Sequence, residues 1–457
     1  MGISFWMSTV DDDLTPSPAL DHDLDVDVAI VGAGYTGLWT AYYLSVADPT
    51  LRIAVLEARI AGFGASGRNG GWCSALLPTS PGELVRRHGR DAALALVHAM
   101  ESTVDEIGRV ARAEGIEADY AKGGTLVMAR NPAQRDRALA EVREAHGYGL
   151  ELAWLDGPEA TARVGATAVL GATYTPHCAA IHPAKLVRGL ARVVRGRGVA
   201  LYEQTPALAI APAVGGARAS VRTPGGTVRA DVVVRATEAY TARLPGLRRR
   251  MVPLYSLMIA TEPLPPSFWD GVGLARRETF GDFRNLIIYG QRTADDRFAF
   301  GGRGAPYHWG SAIRDGFDQV PAVHRDLHAA LRELFPAIGD AKVTHTWGGP
   351  LGAARDWTAS VGYDPRTGLA WGGGYVGDGV ATTNLAGRTL AQLIRGEDGE
   401  LGRLPWVNHR SPAWEPEPLR FAAINTLTRV MGSADRVEQR TGRPARRASL
   451  VNRLVGH

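Results

Sequence analysis

The stretch DVDVAIVGAGYTGLWTAYYLSVADPTLRIAVLEA, residues 25–58, decides the fold. Val26 to Val31 is a run of strand length, apolar at every position but Asp27. Gly32-Ala33-Gly34-Tyr35-Thr36-Gly37 follows, then a helical run, then a second strand-like run from Arg52 to Glu57. Strand, glycine turn, helix and strand make a βαβ unit. A GxGxxG pattern is weak evidence when it stands alone. Here a strand precedes it, a helix opens on it, and an acid closes the next strand, which fits the dinucleotide fingerprint. Gly32 permits the tight turn, Gly34 admits a pyrophosphate to the backbone, and Gly37 lets helix and strand pack closely. Glu57 would accept hydrogen bonds from adenosine ribose hydroxyls and would disfavour a 2′-phosphate. FAD or NAD is therefore expected rather than NADP.

Working outward, GFGASGRNGGW (residues 62–72) begins only a few residues after Glu57, and six of its eleven residues are glycine or alanine. Backbone this bare passes close to something flat or anionic. A second loop directly after the ribose-binding acid suits the ribityl and isoalloxazine half of FAD better than NAD. A third glycine-rich stretch, GGGYVGDGVATTNLAGRTLAQLI (372–394), runs straight into a helix on which Leu385, Thr389, Leu390 and Leu393 recur at helical spacing. Such a loop holds a negatively polarised group at a helix N-terminus.

Between these motifs, the spacing predicts helices over 92–114, from Pro132 to near Gly147, from Pro183, and over 318–335. Strands are expected at 123–130, 254–262, 285–290 and 297–302. Residues 199–237 alternate around a PGG turn, as a meander feeding back into a core strand. Residues 1–23 are acidic and unpatterned and read as a loose arm. Leu419 to Glu438 reads as a C-terminal helix packed across the surface.

The totals exclude several classes. Hydrophobic residues make up 45% and charged residues 21% of 457, ordinary for a globular chain of two or three domains' worth of core. No apolar run reaches the ~18 residues of a membrane helix. The start, MGISFWMSTV, lacks a basic region and a long apolar segment, so a cytoplasmic protein is expected. Two cysteines, Cys73 and Cys178, make neither a disulfide framework nor a metal-ligand pattern, and no structural metal is expected. Lysine and arginine exceed the acids by 51 to 47, too little to argue for nucleic acid.

The three glycine segments, together with IHPAKLVRGLA (181–191) and HTWGG (345–349), resemble the FAD-dependent amine and amino-acid oxidase family, the D-amino-acid oxidase-like proteins. In motif they are most similar to its γ-glutamylputrescine oxidase branch. The resemblance spans about residues 26 to 396. It implies a mixed α/β fold: a discontinuous Rossmann-like FAD-binding domain (24–90, 165–240 and 345–400) and a substrate domain on an antiparallel sheet (91–164 and 241–344). Residues 401–457 would form a C-terminal linker and helix.

The expected FAD contacts are Gly32, Ala33, Gly34, Tyr35, Thr36 and Gly37; Glu57, Ala58 and Arg59; and Gly64, Ala65, Ser66, Arg68, Asn69, Gly70 and Gly71. To these the resemblance adds Ala207, Ala236 and Thr237, and Gly377, Asp378, Gly379, Val380, Ala381 and Thr382 at the flavin's pyrimidine edge. Relatives often carry Ser and His where this chain has Val376 and Asp378. An acid there disfavours an anionic reduced ring unless it points away or pairs with an arginine. It is expected either to bond nearby backbone N–H groups or to position a cationic amine. The lysine that binds substrate carboxylate in sarcosine oxidases has no counterpart near Ala381, which counts against a simple N-methyl amino acid. No linking cysteine or histidine stands where relatives attach the flavin, so FAD is expected to be non-covalent.

The resemblance implies hydride transfer from an amine carbon to flavin N5, hydrolysis of the imine, and electrons passing to O2 as the acceptor to give H2O2. A small-molecule amine is thus the expected partner. Tyr289 is the first candidate for the catalytic pocket, with Trp347 and His345. Tyr255, Phe300 and Tyr307 are further aromatic candidates, Arg284, Arg292 and Arg303 possible anion anchors, and Lys342 a possible oxygen-activating group. Rival readings are a dehydrogenase with another acceptor, an NAD(P)H-dependent hydroxylase suggested by VGDG, and a tRNA-modifying flavoprotein suggested by the arginine-rich tail.

Overall fold

A computed structural model describes residues 2–445 and 447. The opening stretch folds as a strand, Leu24–Val31, a helix, Tyr35–Ala47, and a strand, Ile53–Leu56. Ile53–Leu56 and the second half of Leu24–Val31 are buried because one face packs on helices and the other on the residues around Ala219 and Val221. Leu24–Val31 lies between Ile53–Leu56 and Thr227–Arg235 and is parallel to both. Leu369–Gly373 continues the sheet in parallel beyond Thr227–Arg235, and Ala200–Tyr202 does so beyond Ile53–Leu56. The alternating run from 199 therefore splits. Its first three strand residues enter the parallel sheet, while Ala209–Ala211 pairs with the hairpin strand Ala219–Arg222.

A second sheet of eight strands runs Val343–Ala353, Val252–Thr261, Phe298–Gly302, Ile288–Arg292, Thr279–Asp282, Thr125–Ala129, Gly171–Thr175, Ala153–Asp156. All its pairs are antiparallel except Thr279–Asp282 with Thr125–Ala129. Phe280, Phe298, Phe300 and Phe335 fill the core on one face of it.

The strands and helices distribute differently from the expected segment boundaries. Gly171–Thr175 and Val343–Ala353 belong to the second sheet, whereas the resemblance places 165–240 and 345–400 in the cofactor domain. Helix Arg90–Ala113 puts Met100, Val104 and Ile107 into the core of the parallel sheet, not of the antiparallel one. Local periodicity specifies an apolar stripe but not which sheet the stripe meets.

The N-terminal residues are not a loose arm. Phe5 and Trp6 are 1% exposed, on a short helix Phe5–Ser8 capped by Ser4. Farther along, the Ser17 N–H donates to Glu203 at 2.6 Å and the Leu20 N–H to Thr205 at 3.0 Å. An FWM cluster too short to show periodicity is still apolar enough to require burial.

Candidate functional site

At the end of Leu24–Val31 the chain turns at Gly32 with φ +108°, and a methyl group there would stand 2.6 Å from the carbonyl oxygen of Ala236. Only glycine permits both. A methyl at Gly37 would stand 2.0 Å from the Gly32 carbonyl oxygen, so the helix can rest directly on the turn. Gly34 is the helix N-cap and offers no side-chain cap, which leaves backbone N–H groups facing outward. Glu57 directly follows the second strand, with one carboxylate oxygen accepting from the Ala33 N–H and the other from the Arg59 N–H, each at 2.9 Å. Burial pushes its carboxyl above the usual range against the pull of those bonds.

Ser66 joins the second glycine loop to the first by accepting from the Tyr35 N–H at 2.8 Å. Asn69 folds back on its own loop, donating to the carbonyls of Ala65 and Ser66 and accepting from the Gly71 N–H. Arg68 is buried and donates to the carbonyls of Phe63 (2.8 Å) and Gly348 (3.1 Å), and to Gly2. It and Asn69 thus brace the loop.

The late loop is tied to the first by Tyr375, whose hydroxyl lies 3.0 Å from Thr36 Oγ1. Its backbone hangs from Glu238, whose carboxylate accepts from the N–H groups of Gly374 and Tyr375 at 3.2 Å. Burial raises the Glu238 carboxyl to about 7. Asp378 is the N-cap residue of helix Gly379–Arg395, yet its side chain makes no capping bond. It does not bond nearby backbone N–H groups as one reading expected. Burial pushes its carboxyl up to about 7, and the Arg303 guanidinium draws it the other way. Arg303 in turn donates to the Val376 carbonyl at 2.6 Å.

All three segments open on one cavity of about 1590 Å³. Gly32, Gly34, Tyr35, Thr36, Glu57, Ala58, Arg59, Gly64, Ala65, Ser66, Arg68, Asn69 and Gly70 line it, as do Ala207, Ala236, Thr237, Gly377, Asp378, Gly379 and Val380. Ala33, Gly37 and Gly71 stand behind this lining. Ala381 and Thr382 do not reach it: the helix turns them into the core, where they are 0% and 1% exposed, and Thr383 comes to the wall instead.

Tyr289 lines the cavity, with its hydroxyl 2.7 Å from Ser256 Oγ, and Tyr255 lines it too. Trp347 and His345 do not. Trp347 is 1% exposed against Phe5 and Trp6 and donates to the Arg68 carbonyl at 2.9 Å; the His345 ring packs 5.1 Å from Phe5. The N-terminal segment fills the space that the sequence left open for substrate. Phe300 is in the core of the second sheet, Tyr307 is bound to Glu417, Arg292 pairs with Asp296, and Lys342 is exposed away from the cavity. Arg284 reaches the wall already paired with Asp282 at 2.6 Å.

Glu238, Tyr240, Ser256 and part of helix Leu419–Thr441 also form the walls. Glu238 follows directly on Ala236-Thr237, a small-residue exit from a core strand that was the available signal. Nothing in the pattern of the C-terminal helix points to a cavity.

The lining suits FAD. Two buried hydroxyls on it, Tyr240 and Tyr255, have no hydrogen-bond partner within the protein. Two helix N-termini open on it, neither capped by its own N-cap residue, although Ser66 takes the Tyr35 N–H of the first. The volume also exceeds the ~300–1,000 Å³ of a single ligand pocket, leaving room for a second molecule beside the cofactor.

A profile of the family described as "FAD dependent oxidoreductase" matches residues 27–393. Gamma-glutamylputrescine oxidoreductase of Escherichia coli (strain K12) is 31% identical over 84% of this chain and 86% of its own length. The probable oxidoreductase OrdL of Haemophilus influenzae is 30% identical over the same shares. The crystal structure of glycine oxidase from Geobacillus kaustophilus superposes with a TM-score of 0.71 at 23% identity, covering 84% of this chain and 99% of that one. Among the described residues, no helix is long and apolar enough to cross a membrane.

Proposed function

Because the chain belongs to the family of FAD-dependent oxidoreductases, we propose that it oxidises the C–N bond of a primary or secondary amine or amino acid, as the names of its γ-glutamylputrescine- and glycine-oxidising relatives suggest. The observation that carries this reading is a single cavity lined both by the three glycine-rich segments and by Tyr289, Arg303 and Asp378. When bound, FAD supplies the two-electron acceptor for a C–H bond adjacent to nitrogen.

The chain's own residues do the rest. The N–H groups opening helices Tyr35–Ala47 and Gly379–Arg395 present two positive ends to an elongated group that is electron-rich at both ends. Glu57 would hold the ribose hydroxyls of the adenosine end. Asp378, with a carboxyl near neutrality, accepts the proton that a substrate ammonium must lose before oxidation. Arg303 anchors a substrate carboxylate, and Tyr289, fixed by Ser256, walls the reacting carbon. Both cysteines are buried outside the cavity lining, in keeping with a non-covalently held cofactor. The imine hydrolyses to a carbonyl compound and an amine or ammonia, and O2 takes the electrons to give H2O2.

The test is anaerobic bleaching of the yellow protein by polyamines, glutamylated amines, D-amino acids and N-methyl amino acids, followed by readmission of air. Bleaching by at least one amine, with peroxide on reoxidation, is expected. Bleaching without peroxide would replace O2 by another acceptor. Substrate-stimulated NADPH consumption without amine bleaching would overturn the proposal.

A further inference from the structure

The family profile ends at residue 393, yet helix Leu419–Thr441 closes one end of the cavity. Ile424, Leu427 and Met431 recur at helical spacing on its inner face and line the cavity. Trp357 and Trp414 line the same compartment, and Ile424 shares a buried cluster with Trp414. The helix is held by specific polar contacts rather than by apolar packing alone. Asn425 brackets the backbone of Tyr307, accepting from its N–H at 3.0 Å and donating to its carbonyl at 3.1 Å. Asp435 accepts from the N–H groups of Asn285 (2.6 Å) and Leu286 (2.8 Å), in a loop that itself lines the cavity. Helix and loop therefore hold each other in place and set the shape of this end.

Three arginines around that compartment are already paired with carboxylates. Arg355 pairs with Glu415 at 2.9 Å, Arg284 with Asp282 at 2.6 Å, and Arg137 with Glu438 at 2.8 Å. Arg303, whose guanidinium lies over the Trp357 ring at 5.6 Å, is drawn toward Asp378, so a cationic substituent placed there would meet no carboxylate without an arginine already beside it. Such a cation would give up its hydration without compensation. An apolar substituent would instead gain the faces of Ile424, Leu427, Met431 and the two tryptophans.

Resting on the amine-oxidising reading above, we propose that the helix Leu419–Thr441 forms a specificity subsite that takes an uncharged, apolar alkyl or aryl substituent of the amine substrate. The oxidised carbon stays near Asp378 and Arg303, and the substituent extends under the helix. This chain then selects against substrates whose far end is cationic.

The experiment uses the full-length FAD-loaded protein under anaerobic conditions, titrated with the n-alkylamine series from methylamine to hexylamine. Dissociation constants are read from flavin absorbance and from tryptophan fluorescence. Each added methylene is expected to tighten binding about fourfold until the subsite is filled. In Leu427→Asp and Met431→Asp that gain should fall below twofold per methylene. Leu427→Ala, which introduces no charge, should fall between these and the native protein should Leu427→Asp fail to fold. Arg436→Ala, on the exposed face of the helix, should keep the native gain. Constants independent of chain length in the native protein, or a native gain in both aspartate variants, would overturn the subsite while leaving amine oxidation standing. Failure of every alkylamine to bind, with bleaching by none of the amine panel, would overturn both.

Discussion

Gly34 shows how little room the cofactor wall leaves. A side chain there would begin 2.9 Å from Ser66 Oγ, at a helix N-terminus that opens on the cavity. Gly34→Val is expected to purify colourless and to stay so after incubation with FAD, read as the 280-to-450 nm absorbance ratio. Asp378 gives a prediction in pH. Its folded carboxyl is raised from 3.8 to about 7, so between those values the folded chain holds a proton that the unfolded chain has lost. Stability from this group is therefore greatest below about pH 4, declines as pH rises toward 7, and is level above. Asp378→Asn removes that decline, so its melting temperature relative to native protein should be higher at pH 8 than at pH 5. The same substitution should also abolish the rise of anaerobic flavin reduction with pH through about 7. A native-like rise in the variant would assign that proton elsewhere.

Elements decide how the site is braced. The short helix Phe5–Ser8 lies behind the second glycine loop, with Trp6 Nε1 donating to the Asn69 carbonyl at 2.8 Å and Ser4 Oγ to the Gly67 carbonyl at 2.6 Å. Trp6→Ala removes a fully buried ring and one of these bonds. A loss of ~3–5 kcal/mol is expected from the ring alone. Weaker retention of FAD through gel filtration should accompany it, because the loop it supports lines the cavity. Trp347→Ala should behave in the same way, costing stability and cofactor retention rather than acting on the reacting carbon. If Trp347→Ala keeps FAD and native melting but loses turnover, the bracing role is wrong. This is also where sequence reading misplaced residues: Trp347 and His345 sit on a strand of the right sheet, but nothing local to that strand reveals that residues 340 positions earlier cover them.

At the scale of the whole molecule, two sheets of eight strands meet around a cavity that neither could close alone. A bound group that touches both should tie them together. Removing FAD is expected to lower the melting temperature, and adding it back should restore it in proportion to the logarithm of its concentration. At a hundredfold excess over the dissociation constant the gain is ~2.7 kcal/mol. Melting that ignores FAD would mean that the group does not bridge the two sheets.

The chain's local chemistry made much of this legible. The βαβ unit, the glycines at 32, 34 and 37, Glu57 and the late loop-to-helix transition each follow from steric or hydrogen-bonding demands satisfied within a few tens of residues. Strands such as Phe298–Gly302 and helices such as Pro132–Tyr148, capped by Asn131, are likewise local matters of alternation, periodicity and capping. Other features are set by partners distant in the chain: the burial of Phe5 and Trp6 against Trp347, the transfer of Gly171–Thr175 and Val343–Ala353 to the second sheet, the pairing of charges around the cavity, and the roof made by Leu419–Thr441. An apolar face records that a side chain must leave water, because that free energy depends on its own surface area. Which surface receives it depends on the shapes of elements brought together only when the whole chain has folded.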